Sequence, residues 1–172
     1  MKKLLLTILL LLPNLALAND KAIRDEINAK VSQVVELLRD SYAQEYEKAR
    51  GVQILKAAKD DTVVAVAIFT IEGFAQGNNY SQFMAVFANL SEAPEVPSTR
   101  LSLLDVMEVG RKGIRSIESN KIIIEKSKGG LLITLPALEY GPKDAMCCPS
   151  IKSKARFTIV PAVGGRLKEI KN

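Results

Sequence analysis

The sequence predicts an α+β fold in which one long amphipathic helix packs on an antiparallel sheet. Residues 20–49 place apolar side chains at helical spacing, whereas the chain after Gly51 changes to short segments rich in β-branched residues. One of these segments, Thr62–Ile71, is apolar on both faces. A strand without a polar face belongs in the middle of a sheet that is covered on both sides.

The helix over residues 20–49 is predicted from its apolar stripe, which packs on the chain's own sheet in this interpretation. Asp20 is expected at the N-cap, and Gly51 lies where a helix end favours a left-handed residue. The opposite face mixes acidic and basic side chains, as solvated surfaces do. The stripe consists of Ile23, Ile27, Val31, Val34, Leu38, Tyr42 and Ala49, widened by Val35 and Leu37.

Strand-like segments follow one another closely after Gly51. They are Val52–Ala58, Thr62–Ile71, Tyr80–Ala88, Leu103–Val109, Ile114–Glu118, Lys121–Lys126, Leu131–Leu135, Ala155–Val160 and Arg166–Ile170. The sixth and seventh segments form a clear hairpin across a Gly-Gly turn, and the last two pair across residues 161–165. We predict an antiparallel meander of about seven to eight strands, because short turns favour antiparallel neighbours.

The first twenty residues, MKKLLLTILLLLPNLALAND, have the features of a secretory signal peptide. Lys2 and Lys3 precede an apolar run too short to span a bilayer, and Ala16-Leu17-Ala18 supplies small residues for cleavage. We therefore expect residues 1–18 to be a signal peptide and residues 19–172 to form a single exported α+β domain. The absence of a cysteine after the apolar run argues against a lipid anchor, so the expected location is the periplasm, with secretion as the alternative.

Composition limits the chemistry that this chain can perform. The sequence contains no histidine, which removes the usual general base near neutral pH and the commonest metal ligand. The net charge of +5 falls to +3 without Lys2 and Lys3. Such a modest, dispersed charge does not indicate nucleic-acid binding. We expect a protein without a cofactor, and the interpretation leans away from an enzyme.

Cys147 and Cys148 are the only cysteines and are adjacent in the chain. A metal site would need further ligands of the right kind, and none is present. Three alternatives stay open: a vicinal disulfide in a tight turn, two reduced and partly buried thiols, or an intermolecular disulfide. Gly141 and Pro142 before the pair and Pro149 after it favour a tight structural turn.

Two other regions offer polar side chains for binding. The loop GFAQGNN and its flanks provide Glu72, Gln76, Asn78, Asn79 and Tyr80, which could contact a partner; alternatively, Asn and Gly only supply positive backbone φ angles there. A basic group could bind anionic envelope material, or its lysines could protect strand edges from pairing. This group comprises Arg111, Lys112, Arg115, Lys121, Lys126 and Lys128.

The segment LEYGPKDAMCCPS, followed by KSKARFTIV and GGRLKEI, resembles the C-terminal signature of exported bacterial proteins of the LppP/LprE lipoprotein family. The shared Gly-Pro-x-Asp-x-x-Cys-Cys-Pro pattern falls on Gly141, Pro142, Asp144, the Cys147-Cys148 pair and Pro149. This chain departs from the family by lacking a lipid-anchor cysteine, so membrane tethering does not carry over. The resemblance implies an exported domain and assigns no activity.

Three functional hypotheses follow from these observations. The leading one is a soluble periplasmic, non-enzymatic module that binds or supports a protein or cell-envelope partner, without nucleic acid and without a membrane anchor after signal cleavage. The alternative is a thiol-redox protein that uses Cys147 and Cys148. A weaker alternative is an inhibitor or immunity protein against an envelope hydrolase, which the net charge of +3 does not favour for docking on a basic enzyme.

Overall fold

The computed structural model describes residues 2–57, 62–89, 100–161 and 164–171, with side chains from Asp20 onward. Within these residues it contains one α-helix and an antiparallel sheet of ten strands, which confirms the α+β class. Short 3-10 helices lie at Glu47–Ala49 and Phe74–Gln76. The elements are α1 (Lys2–Leu38), β1 (Gln44–Glu45), β2 (Gly51–Lys56), β3 (Val63–Glu72), β4 (Tyr80–Ala88), β5 (Ser102–Arg111), β6 (Arg115–Ile117), β7 (Ile123–Ser127), β8 (Gly130–Glu139), β9 (Ile151–Ile159) and β10 (Lys168–Glu169).

The helix differs from its predicted bounds at both ends. Its backbone continues through Asp20 to Lys2, so Asp20 is not an N-cap, and it ends at Leu38 rather than at residue 49. Asp40 Oδ1 accepts hydrogen bonds from the backbone N–H groups of Tyr42 and Ala43 and turns the chain. The following residues pair with β3 as β1, which shows tertiary pairing overriding local helical spacing. No helix in the described part of the chain is long and apolar enough to cross a membrane.

The apolar stripe of α1 is confirmed in its central part. Ile27 and Val31 are fully buried, and Val34 and Val35 are nearly so. Leu37, expected to widen the stripe, is 85% exposed because it lies beside the buried stripe in the last turn and not on it. Tyr42, expected on the stripe, lies beyond the helix and is exposed.

The sheet is a meander in which two long strands, β3 and β8, each have two short strands along one edge. β1 and β2 pair with successive parts of β3, and β6 and β7 pair with successive parts of β8. Both predicted hairpins are confirmed: β7 pairs antiparallel with β8, and β9 pairs antiparallel with β10. β1–β5 form the first half of the sheet and β6–β10 form the second half, and a single residue pair joins them, Arg111 opposite Arg115.

β8 runs four residues beyond the predicted end at Leu135, through Pro136 to Glu139. Proline lacks a backbone N–H and is normally excluded from central strands. Here Pro136 O accepts from Glu118 N at 2.9 Å, just after β6 ends. In an antiparallel strand the N–H and C=O of one residue point to the same neighbouring strand. The N–H that Pro136 lacks would therefore point toward the chain of β6, at the place where the pairing of β6 with β8 ends.

Two apolar cores explain why β3 has no polar face. Val64, Val66 and Ile68 of β3 belong to a core shared with β8 and β9, including Ile133 and Phe157, so the two halves of the sheet pack face to face. The intervening residues of β3 point the other way and pack against α1. This second core contains Ala65, Ala67, Phe69, Ile71, Ile27 and Val31. The expectation that Thr62–Ile71 is covered on both sides is therefore confirmed.

A buried ion pair between Arg50 and Glu45 holds β1 and β2 beneath the helix. Arg50 donates Nε to Glu45 Oε1 at 2.7 Å and Nη2 to Glu45 Oε2 at 2.5 Å. The same guanidinium donates to Asn28 O at 3.0 Å and to Ser32 Oγ at 3.1 Å on α1. The Arg50 and Glu45 side chains are only 9% and 6% exposed. One residue thus joins β1, β2 and the helix.

Candidate functional site

Connections from three parts of the sheet meet at one of its ends. Lys112, in the β5–β6 turn, donates Nζ to Asn78 Oδ1 and its backbone N–H to Tyr80 O at 3.2 Å. A Cβ added at Gly113 would stand 3.6 Å from Met146 Cε, in the β8–β9 connection. The predicted binding loop and the cysteine pair, 67 or more residues apart in sequence, therefore share this end of the molecule.

A cleft of about 480 Å³ opens at this end between the β1 region and the β3–β4 loop. Tyr42 and Tyr46 stand at it with 56% and 52% of their surface exposed, and Tyr80 contributes a third tyrosine. Tyrosine combines an apolar ring with a hydroxyl, so such a cleft suits a ligand that is partly apolar and partly polar. The lining residues are Tyr42, Gln44, Glu45, Tyr46, Glu72, Gly73, Gly77, Asn78 and Tyr80.

The structure brings three of the five predicted loop residues to the cleft. Glu72, Asn78 and Tyr80 line it, whereas Gln76 and Asn79 do not. The positive φ angles in this loop belong to Gly73, Ala75 and Gln76 instead of the asparagines. These side chains were predicted because the loop is rich in polar residues, and a binding role for them stays a prediction.

Asp40 holds the two walls of the cleft together. Its Oδ2 accepts the backbone N–H of Ala75 at 2.8 Å, and its Oδ1 accepts those of Tyr42 and Ala43 at 2.9 and 2.8 Å. These backbone hydrogen bonds, that of Ala75 first, lower the pKa of the Asp40 carboxyl. They also fix Ala75 at φ 53°, a left-handed conformation that a non-glycine residue rarely adopts.

The two carboxylates that line the cleft differ in whether a cation pairs with them. Glu45 is neutralised by its bidentate pair with Arg50, as described above. Glu72 is exposed and forms no ion pair with the residues that the structure describes. The free acidic group of the cleft is therefore Glu72, next to the neutral hydrogen-bonding side chains of Gln44 and Asn78.

Tyr80, which lines the cleft, lies close to Tyr140 at the start of the β8–β9 connection and to Ser116 of β6. Tyr140 in turn donates its hydroxyl to Met146 O at 2.8 Å, immediately before the cysteine pair. Burial, followed by the hydrogen bond with Tyr140, raises the pKa of Tyr80 to about 12. Tyr80 is therefore a neutral hydroxyl at neutral pH.

The predicted turn around the cysteines is built on one carboxylate. Asp144 Oδ2 accepts the backbone N–H groups of Gly141 and Ser150, each at 2.8 Å, and Oδ1 accepts the Ser150 hydroxyl at 2.9 Å. The bond from Gly141, with that of the Ser150 side chain next, lowers the pKa of Asp144. Pro142 and Pro149 lie within the span from Gly141 to Ser150 that these bonds close.

Of the three alternatives for the cysteines, the structure contains the vicinal disulfide. Cys147 and Cys148 are bonded to each other, and both are exposed. The alternative of partly buried reduced thiols is contradicted by this exposure. Within residues 2–57, 62–89, 100–161 and 164–171, no three Cys, Asp or Glu side chains converge in a way that could hold a metal ion.

The predicted basic group does not act as a single charged patch. Arg115 pairs with Glu169 at 2.5 Å, Lys121 with Glu118 at 2.7 Å, and Lys112 is bound to Asn78. Arg115 also lies over the Phe157 ring, 5.8 Å from its centroid, and closes the end of the inner core. Four of the six cations, including Arg111 beside Glu108, therefore contact a neighbouring side chain.

Four residues of the cleft were missed from the sequence: Tyr42, Gln44, Glu45 and Tyr46. All four fall in the part of the predicted helix that the structure replaces by a turn and β1. The signal that could have found them is the polar stretch from Asp40, where the apolar stripe weakens and a helix-stopping Asp-Ser pair occurs.

A scan against protein-family models, a search of curated proteins and a search of solved structures each found no match. The resemblance of the Gly141–Pro149 segment to LppP/LprE lipoproteins therefore stays a prediction.

Proposed function

We propose that this protein is an exported, non-enzymatic binding module that holds a carbohydrate unit of the cell envelope in the tyrosine cleft. The observation that carries the proposal is the exposure of Tyr42 and Tyr46, each more than half accessible, at a cleft of about 480 Å³. Exposed aromatic rings beside hydrogen-bonding side chains are typical of binding sites.

The chemistry of a sugar ring matches this arrangement. A sugar presents C–H groups on its flat face, which pack on tyrosine rings, and hydroxyl groups at its edge. Gln44 and Asn78 supply amide groups, and Glu72 supplies a carboxylate that forms no ion pair with the described residues. Export to the periplasm, predicted from residues 1–18, would place the protein beside such ligands.

Isothermal titration of the exported protein with a soluble N-acetylglucosamine tetramer, and with soluble fragments of bacterial wall glycan, tests the proposal. Replacing Tyr42 and Tyr46 together by alanine should weaken binding about tenfold or more, since each aromatic contact contributes roughly 0.5–1.5 kcal/mol. Leu37→Ala is the matched control, because Leu37 is also exposed but lies outside the cleft. The proposal would be rejected if neither glycan bound, or if the double variant bound with the same affinity as the unchanged protein.

A second function is favoured by a separate observation, the exposed Cys147–Cys148 disulfide. In this alternative a partner dithiol reduces the disulfide to two thiols and is itself oxidised to a disulfide, a balanced two-electron exchange. Intact-mass measurement of exported protein should then show a gain of two hydrogens on reduction, and Cys148→Ser should abolish exchange with a dithiol. Two free thiols in the exported protein would exclude this role.

A further inference from the structure

The outer face of the second half of the sheet carries a row of cations. Successive residues of a strand point to opposite faces, so Lys152, Lys154 and Arg156 of β9 share one face, opposite to the buried Ala155 and Phe157. Lys168 of β10 pairs with Thr158 and therefore extends the same row. All four basic residues are exposed. We call this surface the lysine face.

The spacing of the row follows from strand geometry. Alternate residues of a strand lie about 6.8 Å apart, so three side chains of β9 cover roughly 14 Å, and β10 lies about 4.8 Å to the side. Lys152, Lys154 and Lys168 form no ion pair with the residues that the structure describes. Their charge is therefore directed to solvent.

Acidic neighbours do not cancel this charge. Glu169 follows Lys168 but points to the other face and pairs with Arg115 at 2.5 Å. Glu118, which is hydrogen-bonded to β8 beside Pro136, pairs with Lys121 at 2.7 Å. Glu125 shares the lysine face but lies on β7, two strands away from β9. The face keeps a clear excess of positive charge.

Three of the side chains that β8 places on this face are apolar, with the buried Thr134 between Leu132 and Pro136. Leu132, Pro136 and Leu138 of β8 are each half-buried and stand opposite Thr158, Lys154 and Lys152. Neither apolar core includes them, in contrast to the outer face of the first half, which α1 covers. The lysine face thus combines a row of cations with neighbouring, partly buried apolar side chains of β8.

We propose that the lysine face docks on an anionic lipid bilayer. An open sheet face with a row of cations and neighbouring apolar side chains is complementary to a surface of negative headgroups above hydrocarbon, whereas a small ligand would need a concave site. The docking is peripheral and reversible, because a few cations give only a modest attraction. This role is independent of the tyrosine cleft, which lies at the loop end of the sheet.

Co-sedimentation with lipid vesicles tests the proposal. The protein is purified from the exported fraction of cells and mixed with vesicles of phosphatidylcholine alone or with about a third phosphatidylglycerol. We expect binding to the anionic vesicles only, and its loss when salt rises from about 0.05 M to about 0.5 M. Binding to both vesicles alike, or to neither, would overturn the proposal.

Charge-matched variants locate the binding surface. Replacing Lys152, Lys154 and Lys168 together by glutamine should weaken the partition coefficient about a hundredfold, at about fivefold per lysine. The control replaces Lys48, Lys126 and Lys128 by glutamine, which removes the same charge from other parts of the surface. Lys126, for example, stands opposite the inward-facing Leu131 and so does not belong to the lysine face. Equal loss in both variants would show a mere net-charge effect and overturn the proposal.

A last arm separates the bilayer from a soluble polyanion. Binding to polyphosphate is measured separately by isothermal titration, in the absence of vesicles. Tight binding to polyphosphate with no vesicle binding would instead assign the lysine face to an anionic polymer and reject the bilayer. The glycan titration of the tyrosine cleft is read separately, so the two proposals can fail independently.

Discussion

The two halves of the sheet have similar inner faces and opposite outer faces. Inside, Ile68 of the first half and Phe157 of the second are fully buried in one core. Outside, β3 presents Ala67 and Phe69 to the helix, whereas β9 presents lysines to solvent. The same antiparallel architecture therefore supports a three-layer region on one side and an open charged surface on the other.

This difference shows what each half depends on. The first half needs α1, because its outer face would otherwise expose a continuous apolar surface. The second half has no covering layer among the described residues, and the alternating pattern of β9 places its lysines on the outer face. Changes at the outer faces should consequently be costly in the first half and mild in the second.

The largest expected effect comes from the helix-covered face. Phe69→Ala should lower the free energy of unfolding by about 3–5 kcal/mol, because it leaves a cavity between β3 and α1. Ile123→Ala, at an outer position of β7 that is 48% exposed, should cost less than about 1 kcal/mol. Urea denaturation of both variants measures the difference. Similar losses in the two variants would contradict the proposed contrast between the halves.

The next effect concerns the ion pair beneath the helix. Arg50→Ala should cost about 3 kcal/mol, because it leaves the buried Glu45 carboxylate uncompensated and removes the contacts with Asn28 and Ser32. Arg111→Ala, which breaks an exposed pair with Glu108, should cost no more than about 1 kcal/mol. Chemical denaturation again provides the values, and a small effect at Arg50 would mean that the pair does not secure the helix.

A smaller effect probes where the edges of the two halves approach each other. A Cβ on Gly51 of β2 would lie 1.7 Å from Ser119 O, between β6 and β7, so Gly51→Ala should cost about 1–3 kcal/mol through overpacking. Gly129 has no atom within 4 Å of its added Cβ, and Gly129→Ala should be neutral or slightly stabilising. Thermal melting distinguishes them, and equal melting temperatures would contradict this close approach.

The smallest effect compares the carboxylates that tie the loops, Asp40 in the first half and Asp144 in the second. Both have lowered pKa values, so their contribution to stability is present above the unfolded pKa of about 3.9 and is lost as pH falls through the folded pKa. Asp144→Asn and Asp40→Asn should each be less stable than the wild type near pH 6, with the gap narrowing as the pH falls below about 3.9. Urea unfolding at several pH values measures this; a gap that persists in acid would refute the assignment.

The parts of the fold that were predictable are those that depend on the local pattern of apolar, β-branched and polar residues. β4 matches its predicted bounds, Tyr80–Ala88, and β3 is shifted by one residue, because a run of β-branched and apolar residues fits only a covered strand. The vicinal disulfide was one of three open alternatives, since adjacent cysteines restrict the choices without deciding their exposure. The helix end was mispredicted because Tyr42 fits the spacing of the stripe, although the helix ends at Leu38 and Asp40 turns the chain.

The sequence by itself determined the fold class, the central strands, the hairpins and the buried stripe of α1. These depend on whether each side chain faces an apolar layer or water, and this preference is a property of the residue and its near neighbours. Only the tertiary structure decided the tyrosine cleft, the Arg50–Glu45 pair and the open lysine face. They arise from the register of distant segments and from which face α1 covers, and such long-range pairing leaves no periodic trace in the chain.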